Sequence, residues 1–192
     1  MKKGFVTLFF LAFWVLFTCL AQAQSLEETK AKAEKGDAAA QCALGSLYAK
    51  GEGVAKDWAQ AKSWFEKAAA QGYAKAENNL GVMYLKGLGV KKDFAQAKAW
   101  FEKAAAKGNA AAQFSLGFMY AQGDGVKQDW GQAKTWFEKA VAQGDAKAQL
   151  TLGMMYAKGN GVAKDLEKAK FLLQQAAAQG LMEAKIGLTQ LK

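Results

Sequence analysis

Proline, histidine and arginine are absent from the 192 residues, and cysteine occurs only twice. Without histidine the chain has no imidazole metal ligand, no Ser-His-Asp or Cys-His arrangement and no HExxH zinc helix. Without arginine it has no planar fork for gripping phosphate. The lack of proline removes the residue that most often stops or kinks a helix, which leaves that punctuation to twenty glycines. What is present is 52% hydrophobic and 22% charged, a balance that supports an ordered, packed body. Every one of the 26 basic residues is lysine, against 17 acids, for a formal charge of +9.

Lys2 and Lys3 precede an apolar run from Phe5 to Leu20, followed by Ala21-Gln22-Ala23. A basic start, an apolar centre and small residues at the end describe a secretory signal, read here as residues 1–23 with cleavage after Ala23. The run is long for a signal and also admits an uncleaved membrane anchor. Lipid attachment at Cys19 is a third reading, with Thr18 standing where a smaller residue is expected. Cleavage would remove Lys2 and Lys3 and lower the charge from +9 to +7. It would also leave Cys42 alone, so no internal disulfide framework accompanies export and stability must come from packing. Cys42 itself reads as a small buried side chain.

Glycine spacing organises the rest. Gly45, Gly81, Gly117 and Gly153 recur every 36 residues, and Tyr48, Tyr84, Tyr120 and Tyr156 keep the same register. So do Asp57, Asp93, Asp129 and Asp165. Such a period marks a solenoid whose units bury their apolar faces only against their neighbours. Four units are expected at 37–72, 73–108, 109–144 and 145–180, with an N-terminal capping helix at 24–36 and a C-terminal one at 181–192.

Each unit resolves into two helices. In the second, Ala76, Leu80, Met83 and Tyr84 follow helical spacing until Gly87-Leu88-Gly89-Val90 makes a tight joint. Asp93 then caps the next helix, with Gln96 placed to complete a capping box; Asp57 with Gln60 and Asp129 with Gln132 repeat this, and Asp165 has only the first half. Four carboxylates in four caps read as structure rather than acid catalysis. Trp64, Trp100 and Trp136, each followed by Phe or preceding one in register, read as core residues supplying most of the apolar area between units. Lys62 to Glu66, Lys98 to Glu102 and Lys134 to Glu138 are four apart and should pair on the solvent face.

The run Leu80-Gly81-x-x-Tyr84-x-x-Gly87-x-Gly89-Val90-x-x-Asp93-x-x-x-Ala97-x-x-Trp100-Phe101-x-x-Ala104-Ala105-x-x-Gly108 resembles the SEL-one-like repeat, a relative of the tetratricopeptide repeat. The resemblance covers about 37–180; in the fourth unit Leu172-Leu173 replace the aromatic pair, and Thr189 stands where a fifth repeat glycine would fall. It implies an all-α fold, a right-handed alpha-alpha superhelix of 36-residue helix-turn-helix repeats, with the concave side used for protein contacts in bacterial envelope proteins or signalling scaffolds. Some exported members bind or weakly hydrolyse penicillin and carry a disulfide in each unit. The single Cys42 departs from that pattern.

If the first helices line the concave side, an exposed row runs Cys42, Ser46 and Ala49; Asn78, Val82 and Leu85; Phe114, Phe118 and Ala121; Leu150, Met154 and Ala157. Val82, Leu85, Phe114, Phe118, Leu150 and Met154 are the expected protein-binding residues, with Phe118 the preferred contact. The same periodicity fits a seam buried between repeats. No catalytic, cofactor or metal residues are expected, since the Gly-x-Gly-Val turns join two helices and lack a following Gly-Lys-Ser/Thr, and no SxxK occurs after residue 23. The expected function is a non-enzymatic, periplasmic or secreted scaffold for an envelope protein or peptide. The alternative is a module for peptidoglycan fragments or anionic membrane surface, drawn to a lysine fringe of Lys50, Lys86 and Lys158 beside the glycine turns and Lys56, Lys91, Lys92, Lys127 and Lys164 before the capping aspartates. Weak β-lactam hydrolysis is its remotest extension, and export makes nucleic acid a poor target.

Overall fold

The computed structural model describes residues 24–191. The expected signal segment 1–23, with Cys19, lies outside the described residues. Among the described residues there are ten helices: α1 at 24–34, α2 at Ala38–Lys50, α3 at Trp58–Ala70, α4 at Ala74–Lys86 and α5 at Phe94–Ala106. They continue with α6 at Ala110–Gln122, α7 at Trp130–Ala142, α8 at Ala146–Lys158, α9 at Leu166–Ala178 and α10 at Met182–Gln190. Each helix from α2 to α9 has thirteen residues, the result of identical stop signals at identical spacing. The fold is an all-α solenoid of paired helices in helix-turn-helix repeats. Two compact units divide between Ala76 and Glu77.

In the first unit α2 packs on α3. Ala33, Ala40 and Leu44 form a core that Leu26, Tyr48 and Trp64 cover at its edge. In the second, α5 to α10 pack in chain order, each on the next. One contact explains the repeat glycine. A Cβ on Gly117 would stand 2.6 Å from the ring of Phe137, and one on Gly81 would stand 2.6 Å from that of Phe101. In the first three repeats the second helix therefore drives a phenylalanine edge into the space a side chain would fill on the first, and in the fourth Leu173 takes that place. This is close helix packing with the ridge removed on one side.

Burial corrects the expectation for the tryptophans. Phe101 and Phe137 are fully buried and Phe65 nearly so, whereas Trp64, Trp100 and Trp136 are half-buried. One residue along a helix is a rotation of about 100°, enough to move Trp from the glycine notch to the helix edge. There each indole lies under a lysine three residues on: Lys67, Lys103 and Lys139 sit 3.9, 4.3 and 4.0 Å from the ring centroids. The expected pairs Lys62–Glu66, Lys98–Glu102 and Lys134–Glu138 form at 2.5, 2.5 and 2.9 Å. The hydrogen bond to Glu102 holds the Lys98 ammonium above its ordinary range, and Glu138 does the same for Lys134.

The joint between the helices of a repeat is also built from backbone. Gly123 closes α6 in the left-handed conformation, φ 78°, and donates its N–H to Met119 O. Two residues on, a Cβ at Gly125 would meet Phe94 Cβ at 2.3 Å, so the loop of one repeat lies directly on the start of the preceding second helix. The chain then runs to Asp129, whose carboxylate accepts from the N–H of Gln132 at the start of α7. Asp57, Asp93 and Asp165 cap α3, α5 and α9 in the same way. The backbone N–H of Lys168, and then its ammonium, keep the Asp165 carboxyl below its usual range.

The capping box is only half made. The N–H that a Gln side chain would accept from is already donated to the repeat tyrosine carbonyl: Asp57 to Tyr48, Asp93 to Tyr84, Asp129 to Tyr120 and Asp165 to Tyr156, at 2.9–3.0 Å. That also explains why Lys168 serves as well as glutamine in the fourth repeat. Asp129→Ala should therefore lower stability by about 1 kcal/mol, while Gln132→Ala changes it by no more than a few tenths. Urea unfolding of the two variants measures the difference; equal losses would restore the capping box.

A second polar device recurs inside the repeats. Gln41, Gln113 and Gln149 are buried on the first helices, and each accepts a side-chain N–H from the residue thirty positions later. The donors Gln71, Gln143 and Gln179 close the ends of α3, α7 and α9, at 2.9, 2.6 and 2.9 Å. In the second repeat the same two positions hold an ion pair, Glu77 and Lys107, at 2.5 Å.

Candidate functional site

The six expected binding residues all belong to the second unit. Phe118 is the most open, 41% exposed on α6. Phe114, one turn earlier, is half-buried: its ring lies 6.5 Å from that of Phe118 and 5.6 Å from that of Phe137. Phe114 also packs against the core that holds Phe137, Leu152 and Met155. It therefore supports Phe118 from beneath and belongs to the seam as much as to the surface.

Leu150 and Met154 on α8 are half-buried against the core of Leu173, Ala176 and Ala184. Met154 also faces outward into the space beside Phe118. There α6, α7 and α8 enclose a groove of about 140 Å³, with Phe118 and Gln122 on one wall, Trp130 behind, and Thr151, Met154 and Lys158 on the other. Val82 and Leu85 are half-buried on α4 and do not line it.

Two members of the proposed exposed row are corrected. Cys42 and Ala121 are buried, at 2% and 5% exposure. Residues spaced i, i+4 and i+7 share one face of a helix, at about 0°, 40° and −20° around its axis, so on α6 Phe118 sits at the outer edge of the row and Ala121 at the edge turned to the core. Cys42 is in a core, in keeping with its reading as a small buried side chain.

Trp130 was not singled out by periodicity, and Lys158 was read only as a member of the lysine fringe beside the glycine turns. Trp130 stands at the position that packs beneath the next repeat's loop, where a Cβ on Gly161 would meet its Cβ at 2.2 Å. Lys158 belongs to the last turn of α8, a place where a cation also suits the helix dipole. The detectable signal was their helical offset from Met154 and from the glycine turn.

Among the described residues no group of His, Cys, Asp or Glu is placed to hold a metal ion. The repeat aspartates are engaged as caps. Among the same residues no helix is long and apolar enough to cross a membrane.

A paired-helix array with close glycine notches, capped second helices and an apolar groove over its first helices defines a repeat scaffold. The Sel1 repeat matches residues 38–73, 74–109, 110–145 and 146–181, and the chain belongs to the Sel1-repeat family. The repeat array is a module of the protein-interaction type. No curated protein sequence matches the chain.

Solved structures carry the likeness further. A protective antigen of uropathogenic Escherichia coli with an SLR fold is 45% identical over 83% of this chain and 34% of its own, with a TM-score of 0.76. A Sel1 repeat protein from Oxalobacter formigenes is 37% identical over 85% of this chain and 66% of its own, with a TM-score of 0.80. The chain thus spans about a third of the first relative and just under two thirds of the second. Helicobacter pylori cysteine rich protein B is 25% identical over 65% of this chain and 94% of its own, with a TM-score of 0.53.

Proposed function

We propose that this chain is an exported scaffold that holds an envelope protein or peptide in the groove between α6, α7 and α8. The observation that carries the reading is Phe118, a large aromatic side chain left 41% exposed beside Met154. Its counterparts at the same register are Ser46, Val82 and Met154. An apolar anchor beside a part-open groove is the usual centre of a protein contact. Export rests on the basic start and apolar run of residues 1–23, and a periplasmic or secreted location follows from cleavage after Ala23.

The test is capture from bacterial envelope extract on the wild-type chain and on Phe118→Ala. Because the ring is partly in water, its loss should cost no more than about 1 kcal/mol of stability. Retention of the captured protein should fall at least about tenfold, equivalent to a hot-spot loss. A lowered melting temperature with unchanged capture would make Phe118 a packing residue and remove the groove from the reading.

The alternative contact, an acidic wall polymer or anionic membrane surface, is favoured by the exposed lysines 56, 91, 92, 127 and 164 near the capped helix starts. Salt separates the two. Binding through the lysine fringe should collapse as ionic strength rises, whereas binding at Phe118 should persist.

A further inference from the structure

We infer that the groove takes an acidic segment, a peptide that pairs an apolar anchor with an aspartate or glutamate within about one helical turn of it. This rests on the docking reading above and adds the chemistry of the partner. The argument begins with charge. Of the groove's lining residues only Lys158 is ionised, and none is acidic. Gln122, Thr151 and Asn160 supply the other polar edges.

Lys158 is also without an ion pair among the described residues, and a comparison inside the chain shows why. In the first repeat the equivalent lysine, Lys50, lies 3.4 Å from Glu52. The residue at the place of Glu52 is Leu88 beside Lys86 and Asn160 beside Lys158, so both of these lysines have lost the repeat's own counter-charge, and Lys158 is the one that lines the groove. Met154 and Lys158 are four apart on α8 and share one face of it. An apolar side chain seated between Phe118 and Met154 therefore has an ammonium one turn away to meet a carboxylate. A charge-assisted bond at the edge of an apolar contact fixes the orientation of the segment as well as adding attraction. A basic segment meets Lys158 with like charge instead.

The test is selection from a display library of random dodecapeptides on the full chain, purified from the cell fraction in which it accumulates. Three proteins are compared: wild type, Lys158→Glu and Phe118→Ala. Wild type should enrich peptides in which Leu, Phe or Trp is flanked by Asp or Glu, and Lys158→Glu should enrich basic flanks instead. A selected acidic peptide should bind Lys158→Glu at least about tenfold more weakly than wild type, the effect of exchanging attraction for repulsion at one pair. Apolar peptides with no charge bias, still lost on Phe118→Ala, would overturn the acidic partner and leave the groove as the docking site. Peptides insensitive to both substitutions, or no enrichment on any protein, would overturn the docking reading with it. Lys158 is exposed at the end of a helix, so its reversal tests charge without threatening the fold; cooperative unfolding of each variant, with a melting temperature lowered by no more than about 4 °C, verifies this.

Discussion

Gly117→Ala is expected to lower the unfolding free energy by about 2–3 kcal/mol, at the upper end of what one added core methyl costs. The methyl would appear 2.6 Å from two atoms of the Phe137 ring and 3.1 Å from the carbonyl oxygen of Ala133. Phe137 is fully buried and is packed in turn against Phe114, so the ring has no free direction in which to retreat. The whole α6–α7 distance has to open. Gly153→Ala is the internal control, because its nearest neighbour, Leu173 Cγ, stands at 3.1 Å rather than 2.6 Å, so a shift of a few tenths of an ångström makes room for the methyl. Its loss should be about 1 kcal/mol. Urea midpoints with unchanged slopes would report both values. Equal effects at the two glycines would mean that the Phe137 notch is not what requires glycine there.

The second large effect concerns the ion pair that replaces a glutamine pair. Glu77 is 3% exposed, one of its oxygens meets Lys107, and its Oε2 is buried with no hydrogen-bond partner. In the equivalent places Gln41 and Gln113 turn an amide N–H toward the carbonyls of Ala33 and Ala105, at 3.1 and 3.4 Å. A carboxylate has no such donor. Lys107→Met should therefore destabilise by about 2–3 kcal/mol, less than a fully buried pair loses because the Lys107 side chain is 41% exposed. Restoring the neutral pair with Glu77→Gln and Lys107→Gln together should match or exceed wild-type stability by up to about 1 kcal/mol, since it satisfies the orphaned atom and removes a buried charge. Chemical denaturation of Glu77→Gln, Lys107→Gln and the double variant gives a complete cycle. A double variant less stable than either single one would contradict this role for the pair.

Much of the fold was readable because each repeat states the same constraint again. Gly117 and Gly123 recur in register with Tyr120 and Asp129, and those four residues set a helix end, a loop and a helix start. What periodicity could not give was direction around the helix. Trp136 and Phe137 are adjacent and both apolar, and only packing against Gly117 decides which one enters the core. The same ambiguity covers the binding row: Phe118 points to water, Phe114 one turn earlier rests on Phe137, and Ala121 is buried. The internal glutamine pairs were visible as a 36-residue repeat of Gln41, Gln113 and Gln149 with a charged exception at Glu77. Their partners lie thirty residues on, a pairing that only the folded helices reveal. Lys158 was legible only as one lysine of the fringe, because its difference from Lys50 shows once the groove beside it and the asparagine at 160 are placed together.

The central claim, that partner contact occurs at Phe118 on the first-helix side of the second unit, is tested most directly by site-specific photocrosslinking in cells that express the full chain. A photoreactive phenylalanine is placed at 118 in one variant and at 171 in another, since Phe171 is even more exposed, at 59%, but lies on a second helix outside the groove. The expected result is a discrete higher-mass adduct from position 118 and none from 171. An adduct from 171 with none from 118 would contradict the claim.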